Sequence, residues 1–236
     1  MCGRFVSSSP PAELARYFDV AEVADKVLEP SFNVAPTDEV YVVVQTPQAR
    51  RLDVHRWGLI PFWATDTKVG QKLINARAEG IADKGAYRNA FKSQRCLIPA
   101  DGFYEWQKVP GQKAKQPFFI HRPDGEPLAF AGLWERWHPP DAPDDSAAIR
   151  SCVIITGAPN DVVAEVHDRM PIMLPPSAWS TWLDPATDDI EVLEALLIPA
   201  PSELTALHTV STAVNNVRER GPQLVEPVEQ AQGRLL

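Results

Sequence analysis

Three cysteines in 236 residues are too few for a disulfide framework, and their odd number leaves one unpaired under any pairing. Cys2, Cys96 and Cys152 show neither CxxC spacing nor accompanying histidine pairs, so a zinc site is not indicated and a reducing cytoplasm suits the chain. Long hydrophobic runs are missing too. Stretches such as Val40 to Val44 and Val153 to Ile155 fall far below the ~20 residues of a bilayer span. We expect no secretory leader, because Ser7, Ser8, Ser9, Pro10 and Pro11 stand where an apolar stretch would be needed. We expect a cytoplasmic protein with no membrane segment, metal or cofactor. Basic charge is also scarce: 23 Lys and Arg against 31 Asp and Glu give a net charge of -8, which argues against broad neutralisation of nucleic-acid phosphates.

That scarcity is uneven. Residues 1–120 hold 16 basic and 13 acidic side chains, whereas residues 121–236 hold 7 and 18. Between Lys68 and Lys115 there are 10 basic and 4 acidic residues, interleaved with Tyr87, Phe91, Phe103, Tyr104 and Trp106. Such a mixture suits a groove for single-stranded nucleic acid. A solvated charged face is the plainer reading.

Ser9-Pro10-Pro11-Ala12-Glu13 followed by Leu14, Tyr17 and Phe18 predicts a capped amphipathic helix near the start. Strand patterns follow in VYVVVQ, RLDVHRW, KLINARAE, CLIPADGFYEW, PFFIHR, LAFAGLW and SCVIITG, separated by Pro, Gly and Asp. Helical spacing marks AYRNAFKSQ, NDVVAEVHD, PSAWSTWL and DIEVLEALL. The expected fold is α+β, a mostly antiparallel, curved or barrel-like sheet flanked by short helices, in a single domain over residues 1–236. WHPPDAPDDSA reads as an exposed loop and VEQAQGRLL as a frayed tail.

The chemistry most open to reading lies at the start. A small second residue permits removal of Met1, which leaves Cys2 with an α-amine and a thiol on adjacent carbons. That 1,2-aminothiol forms a Schiff base with an aldehyde and closes through sulfur to a thiazolidine. An α-amine titrates near 7.7 to 8.0, so its nucleophilic fraction at neutral pH needs no special tuning. The alternative is an incidental residue at a mobile terminus.

Further clusters accompany it. Cys2-Gly3-Arg4, FNVAPT (32–37), WGLIPFW (57–63), INARAE (74–79), DGFYEW (101–106), HDRMP (167–171) and STAVNNVRERG (211–221) occur in order along nearly the whole chain. Together they closely resemble the SOS response-associated peptidase family. The resemblance implies a sensor and shield of abasic sites in single-stranded DNA, crosslinked to the lesion through Cys2 as a thiazolidine. It also implies a peptidase-like removal of Met1 and a possible abasic-site lyase activity. An abasic site opens to an aldehyde, the electrophile that an aminothiol requires.

By the same resemblance, Glu105 is the catalytic glutamate and His167 the catalytic histidine, fitted by their chemistry to shuttle protons near the amine. Asn75 cannot titrate and is expected to hydrogen-bond the deoxyribose. Arg77, two residues on, shares its strand face and suits a phosphate, as do Arg4 and Arg169. Asn33 is expected near the DNA or the Cys2 backbone. Trp106 and Trp63, the latter beside Phe62, are candidates for stacking on flanking bases. Trp57 and Trp134 read as structural. The expected partner is abasic single-stranded DNA, bound by a monomer that joins the nucleoid when on DNA. Two other readings stay open: an amidohydrolase of the N-terminal-nucleophile kind, in which the amine of Cys2 is the base, and a passive single-strand binder.

Overall fold

A computed structural model describes residues 2–111, 113–140 and 147–228. Most of the expected Pro/Asp-rich loop and nearly all of the tail lie outside the described residues. In chain order the strands are β1 (Phe5–Ser7), β2 (Glu22–Val23), β3 (Ser31–Val34), β4 (Glu39–Gln45), β5 (Arg50–Trp57), β6 (Asn75–Arg77), β7 (Arg95–Ala100), β8 (Gly102–Gln107), β9 (Gln116–His121), β10 (Leu128–Trp137), β11 (Ile149–Gly157), β12 (Met170–Pro171) and β13 (Ala206–Thr209). Five short α-helices accompany them: α1 (Pro11–Tyr17), α2 (Arg88–Ser93), α3 (Asp161–Ala164), α4 (Pro176–Leu183) and α5 (Ile190–Ala195).

Strands β11, β10, β7, β4 and β5 are hydrogen-bonded in that order, and a parallel pairing of Ser151 and Cys152 with Arg56 and Trp57 joins the last to the first. The result is a closed five-stranded barrel. Closure removes the exposed edges an open sheet would present. Beside it lies an open sheet in the order β13, β9, β8, β1, β3. The curved, barrel-like α+β fold expected from the sequence is the one observed. Among the described residues no helix is long and apolar enough to cross a membrane.

The barrel strands are buried on both faces, which explains their nearly continuous apolar runs. Tyr41, Val43, Leu97, Ala131, Leu133, Val153 and Ile155 join a core with Phe91 of α2, Trp179 and Trp182 of α4 and Leu193 of α5. Their neighbours Val42, Val44, Cys96, Ile98, Phe130, Cys152 and Ile154 face the other way, toward Phe5, Phe103 and Ile120 of the second sheet. The period of two sorts each strand between the two cores. At about 25 cal/mol per Å2, burial of such side chains is the main force holding the sheets together.

Three local expectations need correction. Pro10 stands at the start of α1 with no side chain capping the helix, and the Ser9 hydroxyl instead donates to Asp101. CLIPADGFYEW is not one strand: β7 belongs to the barrel and β8 to the second sheet, with Asp101 at the corner between them. Gly102 follows because a Cβ there would stand 2.4 Å from the Phe119 ring. KLINARAE shrinks to the three residues of β6, a short parallel partner of β11.

Candidate active site at the amino terminus

The start of the chain is not a loose end. β1 is an inner strand of the second sheet, paired with β3 on one side and β8 on the other. Its exit is clamped by Asp101, whose carboxylate accepts from the Ser8 and Ser9 amides at 2.6 and 3.0 Å and from both seryl hydroxyls. Cys2, at the other end, is fully buried. Its carbonyl accepts a 2.7 Å hydrogen bond from Asn75 Nδ2, and its thiol donates to the Arg4 carbonyl at 3.6 Å.

Register then brings the acid to the terminus. Phe5 pairs with Phe103 and the Tyr104 amide donates to the Arg4 carbonyl, which brings Glu105, next along β8, toward the start of the chain. Glu105 is only 2% exposed, and burial raises its carboxyl to about 7. Burial and the Glu105 charge together push the Cys2 thiol far up. The sulfur is therefore held as a thiol. This is the reverse of the depressed pKa that activates a thiolate nucleophile.

His167 follows α3, whose cap residue Asn160 accepts from the Val163 amide. Its Nε2 lies 3.8 Å from Glu105 Oε2. Its Nδ1 meets the Arg169 amide at 3.0 Å and the Asp168 carboxylate at 2.9 Å, contacts that demand opposite protonation. Burial lowers the imidazole pKa, and Asp168 is 89% exposed with water available to it. A neutral ring that accepts from Arg169 at Nδ1 and carries its proton on Nε2, toward Glu105, satisfies the fixed partner. Arg4, Glu105, Trp106, Lys115, His167 and Asn215 line one open cleft of about 350 Å3.

Arg4, Glu105, Trp106 and His167 thus meet at the cleft, with Cys2 and its partner Asn75 next to Glu105. Arg77 is exposed, two residues beyond Asn75 on β6, and has no side-chain partner among the described residues. Trp63 is also exposed, at 55%, but lies outside the residues that line the cleft.

Two residues expected at the DNA, Asn33 and Arg169, make internal contacts in this structure. Asn33 is wholly buried; its Nδ2 donates to the carbonyls of Val214, Asn216 and Glu219, and its Oδ1 accepts from Arg4. It braces the segment that carries Asn215 and has no face left for DNA. The Arg169 guanidinium is committed to Glu79 at 2.6 and 2.9 Å, a pairing that holds the Glu79 carboxyl down to about 2. The basic, aromatic segment is also less exposed than its composition suggests. Tyr87, Phe91, Phe103 and Tyr104 are core residues, and Arg95 is an internal cation donating to the carbonyls of Phe91, Lys92, Trp182, Asp184 and Thr187. Trp57 is buried, and Trp134, partly exposed, packs against the same core and tilts against His55.

Sequence reasoning missed Asp101, Lys115 and Asn215. Asp101 and Asn215 lie inside the DGFYEW and STAVNNVRERG motifs, but only the fold shows that one clamps Ser8 and Ser9 and that the other accepts from the Trp106 indole N–H at 2.7 Å.

Comparison with known proteins adds an independent line. Residues 1–217 match the family model described as SOS response associated peptidase (SRAP). The abasic site processing protein YoqW of Bacillus subtilis is 37% identical over 227 residues, covering 96% of this chain and 99% of that protein. YedK of Escherichia coli, described in the same words, is 32% identical over 97% of this chain and 100% of its own length. HMCES of Gallus gallus, also so described, is 30% identical over 97% of this chain and 78% of its own. Among solved structures, a Bacteroides thetaiotaomicron protein covers 97% of this chain and 100% of itself with a TM-score of 0.84 at 22% identity, a likeness of fold alone. A phage-related protein from Bordetella bronchiseptica is 30% identical, with a TM-score of 0.67 over 89% of this chain and 94% of its own. Motifs, fold and the match across residues 1–217 agree: the chain belongs to the SOS response associated peptidase family.

Proposed function

We propose that this protein senses and shields abasic sites in single-stranded DNA by forming a thiazolidine between Cys2, once Met1 is removed, and the aldehyde of the lesion. The names of its relatives support the substrate class. The observation that supports the chemistry is a buried carboxyl, raised by burial to about 7, close enough to Cys2 for its charge to act on the thiol.

The steps balance without any further reactant. Glu105 takes a proton from the Cys2 ammonium, and the free amine adds to the aldehyde carbon. The carbinolamine then loses its hydroxyl as water, with Glu105 returning the proton, to give an imine. Addition of the thiol forms the S–C bond, and its proton ends on nitrogen. Net, aldehyde and aminothiol give thiazolidine and one water. His167, neutral and directed at Glu105, serves as the relay to solvent. Arg4 and Lys115 at the cleft, with Arg77 beyond Asn75, suit the flanking phosphates.

A protonated thiol favours this amine-first order over the amidohydrolase reading, which needs sulfur to attack first. In this reading Glu105 also activates water against the Met1–Cys2 peptide bond, the autopeptidase step. Lyase activity would follow from the same imine, which acidifies the adjacent sugar carbon until ring closure removes it. We read the working form as a cytoplasmic monomer that joins the nucleoid on DNA.

The test is a denaturing gel and intact mass of Cys2-initiated protein mixed with abasic single-stranded DNA. An adduct weighing the sum of both less one water is expected, and none with intact DNA. Chain acetylated at its amino terminus should give none either; an equal yield from that chain would refute the aminothiol route.

A further inference from the structure

The INARAE and HDRMP segments supply the Cys2 site with Asn75 and His167, and a second residue from each, Glu79 and Arg169, ties the two segments together. Both segments meet at the end of β11. Thr156 pairs in parallel with Arg77 of β6 and antiparallel with Pro171 of β12, so the two flank β11 on opposite edges. The Arg169 side chain crosses that end. Its guanidinium donates to the Thr156 carbonyl and, through both Nη atoms, to the two Glu79 carboxylate oxygens at 2.6 and 2.9 Å. A fork of this kind fixes direction as well as distance. The Arg169 side chain is only 16% exposed, and Glu79, at 61%, is the solvent-facing member of the pair.

The main chain of Arg169 acts on the site as well. Its amide donates to His167 Nδ1 at 3.0 Å, the contact that leaves the ring proton on Nε2, 3.8 Å from Glu105 Oε2. Four residues before Glu79, Asn75 donates to the Cys2 carbonyl at 2.7 Å. Releasing the guanidinium would therefore disturb the proton relay on one edge of β11 and the support of Cys2 on the other. A phosphate ligand would have to draw the same guanidinium away from Glu79 and Thr156 together, so its contacts favour a tie within the site over a role at the DNA backbone.

We propose that the Glu79–Arg169 ion pair is a positioning clamp, which holds the His167 ring and the Asn75 support of Cys2 in one fixed arrangement around Glu105. Its effect on rate rests on the abasic-site reading above. Neither residue touches the reacting atoms; both act through their neighbours.

The test begins with Glu79→Ala, which leaves the core intact because Glu79 is exposed. At saturating abasic single-stranded DNA it should slow adduct formation by about 10- to 100-fold, the scale of a misplacement of up to ~1 Å. Affinity for DNA carrying a tetrahydrofuran abasic analogue, which has no aldehyde and so binds without crosslinking, should not move. Glu79→Gln keeps one acceptor for the fork and should recover part of the rate. The double variant Glu79→Ala/Arg169→Gln should be no slower than Arg169→Gln alone, because the same clamp is lost either way. Nitrogen NMR of the histidine rings in DNA-free protein should show His167 as the Nε2–H tautomer, and a mixture of tautomers in Glu79→Ala. An unchanged saturating rate, or additive losses in the double variant, would overturn the clamp. So would tighter DNA binding by Glu79→Ala at an unchanged rate, which would mark Arg169 as a phosphate ligand that Glu79 withholds. Unaltered protein that forms no adduct, with a His167 tautomer that still responds to Glu79→Ala, would sink the abasic-site reading and leave the clamp standing.

Discussion

Asn75 holds Cys2 with one end of its amide and leaves the other end unspent. Its Nδ2 donates to the Cys2 carbonyl at 2.7 Å, while its Oδ1 is buried with no hydrogen-bond partner among the described residues. A buried acceptor without a partner costs about 1–3 kcal/mol, and a sugar hydroxyl delivered beside Cys2 would satisfy it. Asn75→Ala should therefore slow adduct formation by about 5- to 150-fold, the rate equivalent of that energy. Quenched-flow gels at saturating DNA measure this. A change confined to affinity would place Asn75 in binding only.

Glu105 sets the pH dependence of the reaction. With its carboxyl at about 7, the base form that accepts the ammonium proton grows between roughly pH 6 and 8, so the crosslinking rate should rise across that window. Glu105→Gln should lower the rate by about 10² to 10⁴-fold and remove the inflection near 7. DNA affinity should barely change. A parallel fall in affinity would mean that Glu105 shapes the cleft and does not transfer the proton.

Buried acids also govern stability. Glu135 is 4% exposed and raised to about 7 by burial. Its folded value lies above the unfolded value of about 4.3, so the folded state binds more protons between the two. Stability accordingly falls as pH rises from about 4.5 to 7, and the full penalty stands above 7. Glu135→Gln should stabilise the protein by about 1–3 kcal/mol at pH 8 and by little at pH 4.5, read from urea melts at both pH values. Equal effects at the two would show that Glu135 does not titrate in this range.

Much of this architecture could be read from the chain, and the failures have physical causes. The barrel strands were legible because period-two patterns and turn residues mark them, and Cys2, Glu105 and His167 because their motifs come in order. β1 was not, since three residues before a Ser-Pro run carry too little pattern to signal a strand; what makes Phe5–Ser7 one is pairing on both sides. The aromatics between Lys68 and Lys115 misled for a related reason. Composition cannot say which side of a strand faces water, and Phe103 and Tyr104 both turned out to be buried. The bracing role of Asn33 is not legible in sequence because its three carbonyl partners lie some 180 residues away.

That long-range bracing yields its own expectation. Asn33→Ala removes three donor contacts and the acceptor for Arg4, each worth about 1 kcal/mol net, and leaves buried carbonyls unsatisfied. A loss of about 2–4 kcal/mol should appear as a lowered urea midpoint. Limited proteolysis should find new cleavage near residues 214–219. Unaltered stability with weakened DNA binding would restore Asn33 to the DNA surface.

Trp63 and Trp106 should separate stacking from scaffolding. Trp63 is 55% exposed beside Phe62, so its ring is open to a base. Trp106 is half-buried, hydrogen-bonded to Asn215 and tilted against Tyr104 at 6.5 Å. Trp63→Ala should weaken single-strand binding by about 1–3 kcal/mol with no change in Tm, because only the base loses a partner. Its salt slope should also hold, since no phosphate contact is removed, whereas Arg77→Ala should lower the slope by about 0.7. Trp106→Ala should cost both affinity and Tm. Stacking on Trp63 needs an unpaired base, and a strand must bend away from its complement to reach the buried Cys2. Abasic single strands should therefore crosslink faster than the same lesion inside continuous duplex, where unstacking costs a few kcal/mol. Equal rates on the two would refute the strand preference, and would leave Trp63 as an exposed side chain with no part in recognition.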